Sequence, residues 1–172
     1  MRPDIKVWNP ENPAQWNKTL AWTTVWLSTF SLTLGFCAWF LVPSLAPRLN
    51  EIGFSLTHSQ LYWLVAMVGL SAGTLRILWT FLPPILGTRI LVTLSTGLLL
   101  IPLFCWVYAA QHPDTPYWML ICFALLSGIG GGTFSGLMAS TNYFFPKHER
   151  GLALGIQGGL SDFGTGLVHF VT

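Results

Sequence analysis

The chain has 172 residues, of which 52% are hydrophobic and only 8% are charged. Soluble domains carry about 25% charged residues, so this composition excludes an ordinary water-soluble globule and predicts a protein that faces lipid. A net charge of +2 is too small to indicate nucleic-acid binding. Nine tryptophans and twelve phenylalanines fit a membrane protein, because aromatic residues concentrate near membrane interfaces.

The first element is a polar segment, residues 1–18, which contains three prolines and predicts a cytoplasmic tail. Residues 19–172 follow as the transmembrane part. A spanning helix needs about 20 mostly apolar residues, and five segments meet this requirement. The predicted helices cover residues 20–46, 59–82, 88–110 and 116–143, and a fifth begins near residue 151 and continues to residue 172.

Two of the predicted boundaries follow from local sequence signals. Thr57 and Gln60 have the spacing of a capping box, which marks the start of the second helix. Pro83 and Pro84 predict its end. Lys147 to Arg150 are predicted to form a charged loop before the fifth helix.

The basic residues outside the predicted helices indicate the orientation of the chain. Cytoplasmic loops carry an excess of lysine and arginine. Placing the N-terminus in the cytoplasm leaves only Arg48 on the opposite side. The cytoplasmic side then holds Arg2, Lys6, Lys18, Arg89, Lys147 and Arg150.

Arg76 is the most informative residue because it lies well inside the second predicted helix. A charge deep in a membrane span costs about 2.5–3.5 kcal/mol and normally faces a cavity or a partner. The residue can contact a substrate, pair with a carboxylate or helix carbonyls for packing, or extend towards the cytoplasmic interface. The planar guanidinium offers paired donors to two oxygens, so the substrate-contact hypothesis predicts a small anion.

The fifth predicted helix carries a stripe of small and polar residues that can serve close helix packing or ligand binding. The stripe consists of Gly151, Gly155, Gly158, Asp162, Thr165 and His169. Asp162 is the only carboxylate inside a predicted span, so it should be neutral, paired or facing water. Asp162 and His169 could titrate together and couple or tune transport, or form a structural hydrogen bond.

The fourth predicted helix contains a run of glycines, for which close helix packing is the favoured interpretation. The run includes Gly128, Gly130, Gly131, Gly132 and Gly136. No nucleophile–base pair, metal-ligand spacing or nucleotide-binding fingerprint is evident, so neither an enzyme nor a metal or other cofactor is expected.

Several segments resemble the nitrate/nitrite porters (NarK-type) of the major facilitator superfamily. The first is Trp8-Asn9-Pro10-Glu11-Asn12-Pro13, followed by Phe36-Cys37-Ala38-Trp39 through Pro43 and by Leu75-Arg76. The last is Phe144-Phe145-Pro146-Lys147, leading into Gly151-Leu152-Ala153-Leu154-Gly155-Ile156-Gln157-Gly158-Gly159-Leu160.

The resemblance implies an all-α membrane protein that forms helices 1–5 of a twelve-helix carrier in the bacterial inner membrane. It implies that Arg76 binds nitrate or nitrite together with a second arginine from a C-terminal half beyond Thr172. It also implies that Gly155, Gly158 and Gly159 lie close to the substrate, and we expect Gln157 to shape the pocket with them.

The chain departs from the family pattern at the end of the glycine motif. Gln157 stands where the family commonly has asparagine, Ser161-Asp162 where it has Gly-Asn, and His169 where it has glutamine. A carboxylate near an anion site weakens anion binding unless it is protonated or paired. Two alternatives therefore stay open: a carrier for another small anion, and a truncated membrane protein that does not transport or that assembles with another subunit.

Overall fold

The computed structural model describes residues 8–172, and its regular elements over that range are all helical. They are α1 (Lys18–Leu45), a 3-10 turn (Ala46–Arg48), α2 (Leu49–Ile52), α3 (His58–Leu98), α4 (Leu100–Gln111), α5 (Tyr117–Phe144) and α6 (Lys147–Val171). The predicted all-α class is confirmed. Arg2 and Lys6, which contribute to the predicted orientation, lie outside the described residues.

The long helix α3 reverses direction at Gly87, so it forms two antiparallel arms, residues 58–86 and 88–98. Gly87 has φ 73° and ψ 154°, a backbone conformation that glycine adopts without steric cost. The Trp79 indole donates a 3.0 Å hydrogen bond to Ser95 Oγ across the reversal. These two residues are equally far from Gly87 in sequence, as expected for the facing sides of a hairpin.

The second predicted helix, residues 59–82, corresponds to the first arm of α3. Its predicted end at Pro83-Pro84 is wrong, because helical structure continues to Leu86. A proline removes one hydrogen bond from a helix but does not by itself reverse the chain. The reversal requires the positive φ that Gly87 supplies. The predicted capping box at the other end is confirmed, since Thr57 and Gln60 exchange their side-chain and backbone hydrogen bonds.

Three helical stretches in the described part of the chain are long and apolar enough to cross a membrane: Lys18–Ile52, His58–Gln111 and Tyr117–Phe144. The middle stretch has 54 residues, which would extend about 80 Å as one straight helix. The bilayer core is only about 30 Å thick, so the two sides of the Gly87 reversal account for two spans. The fifth predicted span, α6, is long but less apolar than the other three stretches.

Helix α5 forms the centre of the bundle and packs against α3, α1, α4 and α6. The close approach of α5 to its neighbours depends on glycine, as the sequence predicts. A Cβ atom added to Gly128 would lie 2.5 Å from Ser71 Cβ, and one added to Gly132 would lie 2.7 Å from Leu75 Cβ. Gly130 meets the backbone of Gly35 in α1.

Helix α6 begins at Lys147, earlier than the predicted start near residue 151, so the predicted charged loop is wrong. Pro146 is the N-cap, and Lys147 to Arg150 form the first turn. Proline lacks a backbone N–H and favours extended conformations for the preceding residue, so it marks a helix start. Glu149 in this turn faces the positive end of the helix dipole.

The N-terminal segment from Trp8 to Asn17 packs against the junction between α5 and α6. The Trp8 and Trp16 indoles donate hydrogen bonds of 3.1 and 2.9 Å to the Tyr143 and Phe144 carbonyls. The Glu11 carboxylate accepts a 3.0 Å hydrogen bond from the backbone N–H of Lys147. The segment therefore satisfies backbone groups at the end of α5 and the start of α6 that would otherwise lack helical partners.

Candidate functional site

Arg76 lies in the first arm of α3 and points its side chain at the glycine-rich part of α5. Its Nε donates a 3.1 Å hydrogen bond to the Gly131 carbonyl. The carbon at the centre of the guanidinium lies 5.4 Å from the ring centroids of both Trp39 in α1 and Phe134 in α5. Three helices therefore hold this side chain, and cation–π attraction to the two rings stabilises its charge.

The charge of Arg76 has no carboxylate partner between residues 8 and 172. The ion pairs in that range are Lys18–Glu149 at 3.2 Å and the longer contact of His148 with Glu149 at 3.9 Å. The structure thus agrees with one part of the packing hypothesis, the helix carbonyl, and not with a buried carboxylate pair. Because Arg76 is only half-buried, its remaining donors can reach water or a ligand.

The backbone of Arg76 is also hydrogen-bonded to α5. Its carbonyl accepts 2.7 Å hydrogen bonds from the hydroxyls of Ser135 in α5 and Thr80 in its own helix. Both the main chain and the side chain of Arg76 therefore contact α5 within two turns. This arrangement fixes the depth of the guanidinium in the bundle.

An array of aromatic rings extends from Arg76 across α1 to α6. Phe36 lies 5.9 Å from Phe134 and 5.7 Å from Trp39, measured between ring centroids. Phe40 lies 4.8 Å from Trp39 and 6.1 Å from the ring of His169. The structure thus places Arg76 and His169 at opposite ends of one array.

Sequence reasoning did not assign a role to Trp39, Gly131 or Phe134 at this site. The signal that could have found Trp39 is the spacing of Phe36, Trp39 and Phe40, which places three rings on one face of α1. Nothing in the sequence shows that this face meets Arg76.

Gln157 is fully buried where α1, α5 and α6 meet. Its amide nitrogen donates to Ser28 Oγ at 2.9 Å and to the Leu137 carbonyl at 3.5 Å. Its amide oxygen accepts a 2.6 Å hydrogen bond from Thr141 Oγ1. In this arrangement the side chain is engaged between helices and does not open onto a groove.

The glycines of the α6 motif lie on two different sides of the helix. Gly155 and Gly159 line a shallow apolar groove on the outer side of α6, and a Cβ atom added to either would meet no neighbour within 4 Å. Gly158 is half-buried, and a Cβ atom there would lie 3.6 Å from Met138 Cε. Close helix packing is one of the two roles that the sequence leaves open for the stripe of Gly151, Gly155 and Gly158, but the close backbone contact of α6 is made by Gly164, outside that stripe, against the Thr33 carbonyl of α1.

Asp162 and His169, the titratable residues of the α6 stripe, are both exposed and do not bond to each other. His169 Nδ1 shares a 2.9 Å hydrogen bond with Ser44 Oγ at the end of α1. Asp162 makes no hydrogen bond or ion pair with Arg76, His169 or any other side chain in the described range. Within that range, no three His, Cys, Asp or Glu side chains cluster as a metal site requires.

Among residues 8–172, Arg76 is a half-buried arginine without a carboxylate partner, set in a bundle of membrane-spanning helices, and this defines the class: a multi-pass membrane protein with a fixed positive charge inside the bundle. Comparison with known proteins agrees. The family model described as Major Facilitator Superfamily matches residues 8–169, which is nearly the whole chain. The chain belongs to the Major Facilitator Superfamily.

Three curated relatives also agree with the resemblance to NarK-type porters. The chain is 59% identical over 168 residues to the probable nitrate/nitrite antiporter NarK2 of Thermus thermophilus, covering 98% of this chain and 38% of the relative. It is 39% identical over 170 residues to the nitrate/nitrite transporter NarU of Escherichia coli, covering 97% and 37%. NarU of Salmonella typhimurium is 40% identical over 167 residues, covering 95% and 36%.

These matches confirm the predicted resemblance over nearly the whole chain. The chain spans little more than a third of the length of each of these relatives.

Proposed function

We propose that this chain forms part of a carrier that moves nitrate or nitrite across a membrane by alternating access, with Arg76 as its contact to the anion. The observation that carries the proposal is the guanidinium of Arg76. It is half-buried, held by a carbonyl and two aromatic rings, and not neutralised by any carboxylate among residues 8–172. The names of the relatives, a probable nitrate/nitrite antiporter and a nitrate/nitrite transporter, support nitrate and nitrite as the substrates.

Arginine suits this substrate chemically. A guanidinium is planar and offers parallel N–H donors, which match two oxygens of a planar anion. It stays protonated at every accessible pH, so it binds the anion without carrying a coupling proton itself.

The relatives are longer, and we propose that a carrier of their length completes the site with residues of a C-terminal half. Two such halves rocking about a central site would expose the anion to either side in turn. The open groove at Gly155 and Gly159 supports a role for this face in contact with substrate or with the other half. We assign Gly158 and the buried Gln157 to shaping the same region from within the bundle.

Asp162 and His169 are proposed to tune or couple transport. His169 borders the aromatic array that begins at Arg76, and histidine is a residue type that commonly carries protons in proteins. Asp162 is exposed on α6, where an added negative charge would oppose an approaching anion unless it is protonated. Asp162→Asn should therefore raise the apparent affinity for nitrate, as measured by uptake at several substrate concentrations.

The decisive experiment measures nitrate and nitrite uptake by a carrier of the relatives' length that contains this sequence. Arg76→Ala should abolish uptake. Arg76→Lys should raise the KM by about tenfold or more, because one charge-assisted hydrogen bond is worth about 1.5–3 kcal/mol. Arg89→Ala is the matched control, since Arg89 is an exposed arginine of the same helix and should leave the KM close to that of the unaltered carrier. Unchanged affinity in both Arg76 variants would refute the assignment.

The identity of the anion is tested by competition. Nitrate uptake in the presence of nitrite, formate, acetate or chloride separates a nitrate/nitrite carrier from a carrier for another small anion. Nitrite should compete strongly, and the organic acids and chloride weakly.

We further propose that the protein lies in the bacterial inner membrane with its N-terminus in the cytoplasm. The Lys18–Glu149 ion pair supports a common side for the starts of α1 and α6. In a cysteine-free background, His112→Cys should react with an impermeant maleimide added outside intact cells, and Lys147→Cys should not. The opposite labelling pattern would reverse the orientation.

A further inference from the structure

We propose that Trp39 is a positioning residue which, together with the Gly131 carbonyl, fixes Arg76 so that it presents only its two terminal amino groups to the anion. This inference rests on the proposed function of Arg76 as the anion contact.

The first step concerns the donors of the guanidinium. Arginine can bind two oxygens along the edge formed by Nε and one terminal nitrogen, or along the edge formed by both terminal nitrogens. The Nε–H of Arg76 already donates to the Gly131 carbonyl at 3.1 Å. The edge that includes Nε is therefore occupied, and the edge of the two terminal nitrogens is the one that remains for a ligand.

The second step concerns the packing of Trp39 against α5. A Cβ atom on Gly131 would lie 2.7 Å from Trp39 Cδ2 and 2.8 Å from Trp39 Cε2. The indole therefore rests directly on the α5 backbone at the residue whose carbonyl binds Arg76. Its ring centroid is 5.4 Å from the central carbon of the guanidinium, so Trp39 limits the tilt of the group while Gly131 limits its rotation.

The third step concerns binding. A guanidinium that is already held in its bound orientation loses less freedom when an anion arrives, which strengthens binding without any new contact to the anion. A fixed pair of donors also favours a planar oxyanion over a spherical halide, because only the oxyanion accepts both hydrogen bonds at once. Trp39 thus contributes to affinity and to selectivity through Arg76.

The test measures KM and maximal rate for nitrate uptake in liposomes, using a carrier of the relatives' length that contains this sequence. Trp39→Leu keeps an apolar side chain but removes the ring, and should raise the KM about 3- to 30-fold with a smaller change in rate. Trp39→Phe restores a ring and should bring the KM to within about threefold of the original. Inhibition by chloride should strengthen in Trp39→Leu only.

The control for lost packing is Trp106→Leu. Trp106 is a buried tryptophan that bonds Ser127 between α4 and α5 and makes no contact with Arg76. This variant should lower the amount of folded carrier and leave the KM unchanged. An equal rise in KM in both leucine variants would show that Trp39 acts only through stability and would overturn the proposal.

A double-variant cycle separates this proposal from the proposed function. If Trp39 acts through the guanidinium, Trp39→Leu should change the KM by less than about threefold in an Arg76→Lys background, because the two residues are coupled. If the fold-changes in KM of the two single variants simply multiply in the double variant, the two residues are not coupled, and this would overturn the positioning role. If Arg76→Lys and Arg76→Ala both leave the KM unchanged, the proposed function itself fails.

Discussion

Helices α5 and α6 both carry a stripe of glycines, and the two stripes have opposite surroundings. Every glycine of α5 from Gly128 to Gly136 meets another helix so closely that a methyl group would overlap it. In α6, Gly151, Gly155, Gly159 and Gly166 have no neighbour within 4 Å of an added Cβ atom. The comparison shows that a small-residue stripe marks close packing in one helix and leaves an unoccupied face in the next.

The largest effect is expected at Gly130. Its missing side chain lets the backbones of α1 and α5 touch at Gly35, and neither backbone can move aside cheaply. Gly130→Ala should lower the free energy of unfolding by about 3 kcal/mol, the upper part of the range for overpacked cores. Thermal unfolding of the purified protein in detergent measures this. A variant as stable as the original would mean that the α1–α5 contact is looser than the structure shows.

The next effect is expected on the buried side of α6, at Gln157. Replacing it with leucine removes its hydrogen bonds with Ser28 and Thr141, so each hydroxyl keeps only the bond to a carbonyl of its own helix. The cost should be about 1–3 kcal/mol of unfolding free energy. Gln157→Asn is the paired variant, because it keeps the side-chain amide but places it on a shorter side chain. If Gln157→Leu unfolds normally and only uptake is lost, the residue serves the substrate and not the packing.

A gain of stability is expected on the open side of α6. Gly155→Ala meets no neighbour and favours the helix, so it should raise the free energy of unfolding by about 0.4–1 kcal/mol. We expect the same variant to reduce nitrate uptake in a carrier of the relatives' length, because the groove at Gly155 narrows. The test is whether Gly155→Ala raises the free energy of unfolding and at the same time lowers nitrate uptake. Uptake that rises or stays level would remove Gly155 from the proposed substrate path.

The smallest effect is expected at the ion pair between α1 and α6. The Lys18 side chain is 62% exposed, so solvent screens its 3.2 Å contact with Glu149. Lys18→Met should change the unfolding free energy by no more than about 1 kcal/mol. The change should shrink further in 0.5 M salt. A larger loss would mean that charge, and not the buried side of α6, holds the two helices together.

The architecture was largely predictable, because membrane burial requires long apolar segments whose ends are marked by charged residues and caps. The start of the second helix follows from Thr57 and Gln60, and the glycines of α5 predict tight packing. The turn after the second helix was misplaced because Pro83 and Pro84 are conspicuous, whereas the reversal depends on the φ angle of Gly87.

The candidate site was only partly predictable. An arginine inside an apolar helix stands out in any sequence, because its burial is costly. Trp39 and Gly131 do not stand out, because aromatic residues and glycines are common in membrane helices. Likewise, Gln157 is one polar residue among several in α6, and only the contact with Ser28 and Thr141 shows that it faces inward.

The sequence by itself determined that this protein crosses a membrane several times, that it is all-α, and that it carries Arg76 and Asp162 where charge is costly. Those properties follow from composition and from the cost of burying polar groups, which act residue by residue. Only the tertiary structure decided which glycines are packed, which edge of the Arg76 guanidinium stays free, and which face of α6 is open. Those properties depend on how separate helices meet, and no local pattern in the chain encodes the distance between them.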